Sequence, residues 1–313
     1  MLTRTSRFRT DRGDNQLLGA DSGCRNRLSV VATARVDGLL PTVARELDLE
    51  ITALPGGGEF GAALARDSHG RELVLKVLPG SIWAARFARG AELSARVRSS
   101  SYPVPRYFGT GVAVGASWSL QERLPGTIPD VMTESHARQL LGFLNHHEES
   151  ADGDGDLVSE FRQELGDAVA RLVDQPAIAS LAAELGATMA SAPTIAVRSH
   201  DVVHGDFHHR NFLAEGDRVT GVFDWELAWV GDWRVDLVNL ACWGSWVPSQ
   251  IPPDVVAVIV EAARSACEPP VLALFAAFHT LRALEFNLRV HPDRLPWMLD
   301  VIDATTRAWL RPS

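Results

Sequence analysis

The chain has 313 residues, 46% apolar and 22% charged, with 30 Lys and Arg against 39 Asp and Glu for a formal net charge of −9. That is the composition of a globular protein, and a length beyond the roughly 250–300 residues that one core sustains predicts two lobes. The acidic balance argues against non-specific binding to nucleic acid or to an anionic membrane, and no stretch approaches the ~20 consecutive apolar residues of a spanning helix.

The cysteines Cys24, Cys242 and Cys267 are widely spaced and odd in number. They support neither a disulfide framework nor a zinc site, and a reducing, cytoplasmic setting is the expectation. Residues 1–38 carry arginines, Gly and Ser with little apolar periodicity and lack the apolar core of a secretory signal; a disordered extension is expected there.

From Leu39 the pattern changes. Ile51 to Leu54, Ala62 to Arg66 and Glu72 to Leu78 read as strands, the first two joined by a turn through Pro55-Gly56-Gly57-Gly58. Ser81 to Val97 has helical spacing, with Ser81 as the expected N-cap. Tyr102-Pro103-Val104-Pro105 must be extended, because a residue before proline is pushed out of the helical region. A strand pair comes next, at Phe108 to Val114 and Trp118 to Glu122, and Leu124-Pro125-Gly126 reads as a hinge. Beyond it helical spacing dominates, in Glu134 to His147, Leu157 to Asp174, Ala177 to Ala190, Val255 to Ala266, Val271 to Arg289 and Pro296 to Leu310. Within that half lies one β-rich island, Val202 to Trp225, whose strands Phe212 to Ala214 and Val219 to Phe223 flank Glu215-Gly216-Asp217.

The island carries the chemistry. His204-Gly205-Asp206 is followed by Asn211, five residues after the aspartate, and the hairpin returns a second carboxylate in Asp224-Trp225-Glu226. Mg²⁺ takes hard oxygen ligands and is held by one or two carboxylates with substrate phosphates completing the octahedron, a role that suits Asn211 and Asp224. Asp206 is then available as the base that accepts an attacking hydroxyl's proton. An Asp near an Asn on a loop is more often turn chemistry; here the upstream order of glycine-rich hairpin, strand with Lys76 and helix with Glu92 favours catalysis.

On these motifs, with Gly231-Asp232 and Asp236-Leu237, the chain resembles the aminoglycoside phosphotransferase and choline kinase superfamily of protein-kinase-like small-molecule kinases over roughly residues 39–310. The resemblance implies an α+β, protein-kinase-like fold of two lobes. The small β-rich lobe, residues 39–123, would bind nucleotide, and a mainly helical lobe, residues 124–313, would carry catalysis and the acceptor. It also implies Asp206 as catalytic base, Asn211 and Asp224 on Mg²⁺, Lys76 on the phosphates of ATP, Glu92 paired with Lys76, and Asp236 as a support of the loop, with His204 and Glu226 beside them. Gly57 and Gly58 are expected near the phosphates, and the backbone of Gln121 and Arg123 near adenine.

Gly205 stands where protein kinases carry an arginine, Asp-Trp-Glu replaces Asp-Phe-Gly, and no Ala-Pro-Glu segment comes after it. The expected partner is therefore a small molecule that offers a hydroxyl, not a protein. A choline, homoserine or sugar kinase and a nucleotide-binding pseudokinase stay open as alternatives. Asp152, Asp154 and Asp156, with Glu148, Glu149 and Glu160, form an acidic cluster that reads either as a solvated surface or as an attractor of a polyamine acceptor.

Overall fold

The computed structural model describes residues 38–54, 62–166 and 168–310. Its first part is a five-stranded antiparallel sheet of β1 (Glu50–Ala53), β2 (Ala62–Arg66), β3 (Glu72–Pro79), β4 (Tyr107–Ala113) and β5 (Ala116–Glu122), in the order β1-β2-β3-β5-β4. β3 lies at the centre because its residues are apolar almost throughout, as a strand covered on both faces requires. A helix that the sequence pattern does not announce, α1 (38–46), packs Leu40, Val43 and Ala44 against Ala63, Ala65, Leu75 and Val77 to make a small core of its own.

After β3 comes α2 (Trp83–Val97). Ile82 occupies its N-cap and no side chain caps it, so Ser81 does not have the expected role. Phe87, Gly90, Leu93, Ser94 and Val97 form its buried face. Leu93 and Val97, with Tyr102 and Val104, belong to the larger core of the helical part, although strands of the sheet flank them in sequence. The helix therefore joins the sheet to the helical part.

That part comprises α3 (Glu134–Leu144), α4 (Leu157–Leu165), α5 (Ala168–Val173), α6 (Ala179–Ala190), α7 (Arg234–Trp246), α8 (Pro253–Ala266), α9 (Pro269–Val290) and α10 (Leu295–Leu310). The single helix expected over 157–174 is two, because Gly166 ends α4 with a φ of +48°. α9 is long and apolar enough to cross a membrane by length and composition, yet 72% of its apolar window is buried within the protein, as befits the axis of the core. The island reads as expected in its hairpin, β7 (Phe212–Glu215) with β8 (Arg218–Val222). A second antiparallel pair, β6 (Asp201–Val203) with β9 (Trp229–Gly231), closes its base.

The linker after β5 is fastened to this hairpin. Thr127 and Ala214 exchange both backbone hydrogen bonds, at 3.1 and 2.8 Å. The Thr220 hydroxyl donates to the Pro125 carbonyl at 2.5 Å. The linker that leaves the sheet is thus hydrogen-bonded directly to the island, and Lys76 on β3 faces the turn that carries Asp224.

Candidate active site

The loop after β6 is held open by Asp236, fully buried on the first turn of α7. Its carboxylate accepts from the backbone N–H of His204 at 2.6 Å and of Gly205 at 2.9 Å. Two amides that no strand or helix would satisfy are thereby paired, the condition for burying such a loop. Gly205 is confined to glycine twice over: its φ is +82°, and a Cβ would sit 2.2 Å from the Leu227 carbonyl oxygen. That contact explains why the arginine of the protein-kinase motif has no place here.

His204 links the two halves of the site. The Asp206 N–H donates to its Nδ1 at 3.2 Å, so its proton resides on Nε2, which donates to the Phe223 carbonyl at 2.9 Å. Burial lowers its proton affinity and keeps it neutral, the state this bridging needs. Phe223 in turn donates its N–H to the Asn211 carbonyl at 3.0 Å, and the next residue, Asp224, takes a left-handed φ of +75°. The loop of Asp206 and the turn of Asp224 are tied by one ring and one amide.

Asp206 is about a third exposed and surrounded by donors. Asn211 Nδ2 donates to its carboxylate at 3.0 Å and to its backbone carbonyl at 2.8 Å. His208 Nε2 lies 3.3 Å from the carboxylate and Arg282 3.9 Å from it. Burial works against ionisation of Asp206; His208 foremost, then Arg282 and His204, more than reverse it and hold its carboxyl well below the ordinary carboxylate range. The loop therefore presents an ionised, fixed carboxylate.

The residues present fit a magnesium ion. The Asn211 amide nitrogen is spent on Asp206, which leaves its oxygen to face a cation, and Asp224 supplies a partly exposed carboxylate. Both are hard oxygen donors. Among the described residues no group of three His, Cys, Asp or Glu side chains forms a complete cage, so phosphate and water must complete the shell as they do for Mg²⁺.

Lys76 approaches from the sheet and pairs with both Asp224 and Glu226 Oε1, the latter at 2.5 Å. Glu92 is not its partner. That side chain is 64% exposed and pairs with Arg96 at 3.0 Å. The reason is the face of α2: Gly90 packs on the Trp225 carbonyl, and a residue two places on is turned about 200° away. Glu226 was expected only as a neighbour of the motif and turns out to take this pairing.

Of the remaining expected residues, Gly57 and Gly58 lie in 55–61, outside the described residues. Gln121, at the end of β5, is buried and donates to Ser119 Oγ at 3.0 Å; Arg123, just after β5, pairs with Glu72 at 2.7 Å. Their side chains are engaged within the sheet, so any contact with a base falls to their backbone.

Arg282 was not foreseen. It extends from α9, lies over the Phe278 ring and donates to the Gly205 carbonyl at 2.6 Å. Nothing in an apolar helix 77 positions from the loop announces it. Three of the six acids in the cluster are committed to arginines, Asp152 to Arg96 at 2.6 Å, Glu160 to Arg89 at 2.5 Å and Glu148 to Arg198 at 3.0 Å.

The profile of a phosphotransferase enzyme family matches residues 50–275. Among solved structures, the fold is similar to that of a thermostable mutant of aminoglycoside phosphotransferase APH(4)-Ia in ternary complex with ADP and hygromycin B, at 18% identity and a TM-score of 0.66 over 86% of this chain and 97% of that one. It is similar to an aminoglycoside-3'-phosphotransferase of type VIII at 22% identity and a TM-score of 0.58, over 79% and 98% of the two chains. A macrolide 2'-phosphotransferase, MphH from Brachybacterium faecium, matches at 20% identity and a TM-score of 0.51, over 88% and 99%. No curated protein sequence matches the chain.

Proposed function

Because the chain belongs to this phosphotransferase enzyme family, we propose that it moves the γ-phosphoryl group of ATP to a hydroxyl of a small molecule, with Asp206 as the base and Asn211 and Asp224 holding Mg²⁺. One observation carries the reading: a single hydrogen-bonded network joins Asp206, Asn211 and the segment before Asp224, and the lysine of the sheet closes on its far end.

In the reaction the acceptor oxygen forms a bond to phosphorus as the bond from phosphorus to the bridging oxygen of ADP breaks, and the hydroxyl proton passes to the Asp206 carboxylate. A carboxylate of low proton affinity takes that proton late, after most of the bond change. That suits a loose transition state, in which positioning matters more than base strength. Asn211 fixes the carboxylate through Oδ2, and Lys76 offers positive charge where phosphates arrive. The magnesium ion, when bound, neutralises charge on the phosphate oxygens.

The aminoglycoside and macrolide neighbours make hygromycin-type aminoglycosides and macrolides the first acceptors to assay, with choline, homoserine and sugars beside them. Asp206→Ala should lower turnover by ~10²–10⁴, the range for a lost positioned base, while nucleotide affinity stays within about twofold. Asp224→Ala should remove the magnesium dependence of nucleotide binding. Unchanged turnover in Asp206→Ala refutes the mechanism. Nucleotide binding without turnover on every acceptor supports a regulatory module instead.

A further inference from the structure

The ammonium of Lys76 has two carboxylate neighbours that differ in burial, and a third carboxylate, Glu92, that faces away from it. We propose that the two have separate duties: Glu226 is the fixed partner that positions Lys76, and Asp224 is an exchangeable partner that leaves Lys76 when the metal and nucleotide arrive. The proposal rests on the nucleotide-site reading above.

Glu226 is 9% exposed and Asp224 32%. A buried ammonium needs a counter-charge in every state, since removing it leaves an uncompensated charge in the interior. Asp224, partly open to solvent, can turn toward a cation. Glu226 cannot leave as easily. It lies in the short 3-10 turn Trp225–Leu227, whose fully buried Trp225 donates its indole N–H to the Val222 carbonyl at 3.0 Å.

Helix α2 braces the same turn. Gly90 brings its backbone close to the Trp225 carbonyl, with Arg86 on Glu164 at 2.9 Å and Arg89 on Glu160 at 2.5 Å fastening the helix to α4. The second oxygen of Glu226, Oε2, is buried without a hydrogen-bond partner. It is the atom that accepts a second bond from Lys76 Nζ once Asp224 has turned away. The charge on the lysine is then matched before and after metal entry, and Glu92 takes no part in either state.

Titration calorimetry of ADP, with Mg²⁺ and with chelator, on the full chain tests this. Glu226→Gln keeps the shape of the side chain and removes its charge; it should weaken ADP binding about tenfold or more in both conditions, the scale of a lost charge-assisted hydrogen bond. Glu226→Asp should recover part of the loss, and Asp224→Asn should weaken binding only where Mg²⁺ is present. Glu92→Gln should bind within about twofold of the parent. Melting temperatures of all variants separate these effects from unfolding. Glu226→Gln binding like the parent, or Glu92→Gln losing as much as Glu226→Gln, overturns the assignment while a weakened Lys76→Ala leaves the nucleotide site standing. Lys76→Ala binding like the parent overturns both.

Discussion

Replacing Gly90 by alanine sets local and tertiary physics against each other. In the interior of a helix the change stabilises by about 1 kcal/mol on intrinsic propensity. In α2 the new Cβ would lie 2.4 Å from the Trp225 carbonyl oxygen, 2.9 Å from its carbon and 3.3 Å from the Glu226 nitrogen. All three are backbone atoms, so no flexible side chain can yield. Restoring an ordinary contact requires the helix to lift by roughly 1 Å, and overpacking of that kind costs about 1–3 kcal/mol in close-packed interiors. The balance is a destabilisation of about 1 kcal/mol, or a melting temperature lower by about 2–4 °C. The lift also moves the turn that bears Glu226 and draws Arg86 and Arg89 from Glu164 and Glu160, so ADP affinity should fall with stability. Scanning calorimetry with and without Mg-ADP reads both. A melting temperature that rises by the propensity increment, with ADP affinity unchanged, refutes the seating of α2 on that turn.

Arg282→Gln removes the 2.6 Å bond to the Gly205 carbonyl and the guanidinium 3.9 Å from Asp206. Steady-state kinetics should show kcat down by roughly tenfold with the KM for ATP held, and Arg282→Lys restoring part of it; an unchanged kcat rejects the positioning role. His209 and His279 are buried, and burial pushes both down to about 3. Below their unfolded value of about 6.5 the unfolded chain takes up protons that the native one refuses. Stability should therefore be fully present at neutral pH and fall between about 6.5 and 3, by up to about 1.4 kcal/mol per pH unit for each histidine. Thermal melts from pH 7 to 4 measure that slope, which His279→Asn should reduce; a slope unchanged by that variant shows that His279 is not a source.

The grouping of Asp206, Asn211 and Asp224 was readable because the three lie within 19 residues around one hairpin, where strand geometry leaves little freedom. A lone lysine in a strand is ordinary, and Lys76 stood out only through its order along the chain, between the glycine-rich hairpin and the helix of Glu92 and upstream of the island. The pairing with Glu92 was not readable, since a spacing of 16 residues says how far along the chain an acid lies and nothing of which way the helix faces. Its facing is decided by Gly90 against a turn more than 130 residues later. α7 escaped the periodicity test because ten of its 13 residues are buried, so no polar stripe marks its turn. Arg282 escaped for the same cause, on a helix buried over most of its circumference.

The acidic cluster shows how a composition signal loses its meaning on folding. Taken along the chain, Glu148, Glu149, Asp152, Asp154, Asp156 and Glu160 invite a cationic acceptor. In the fold Glu148, Asp152 and Glu160 each face an arginine within 2.5–3.0 Å, two of those arginines on α2, and Asp154 faces His200 at 3.0 Å. A paired carboxylate presents a dipole to a distant cation in place of a charge, and at physiological salt what remains is screened within about 8 Å. The acids hold the helix that braces Glu226, and their attraction for a polyamine is correspondingly reduced. Beside Asp206, the carboxylate proposed as the base, the protein instead places a cation of its own, Arg282 at 3.9 Å. An acceptor need carry no positive charge to approach such a base, and neutral hydroxyl compounds belong in the first assay on equal terms with aminoglycosides.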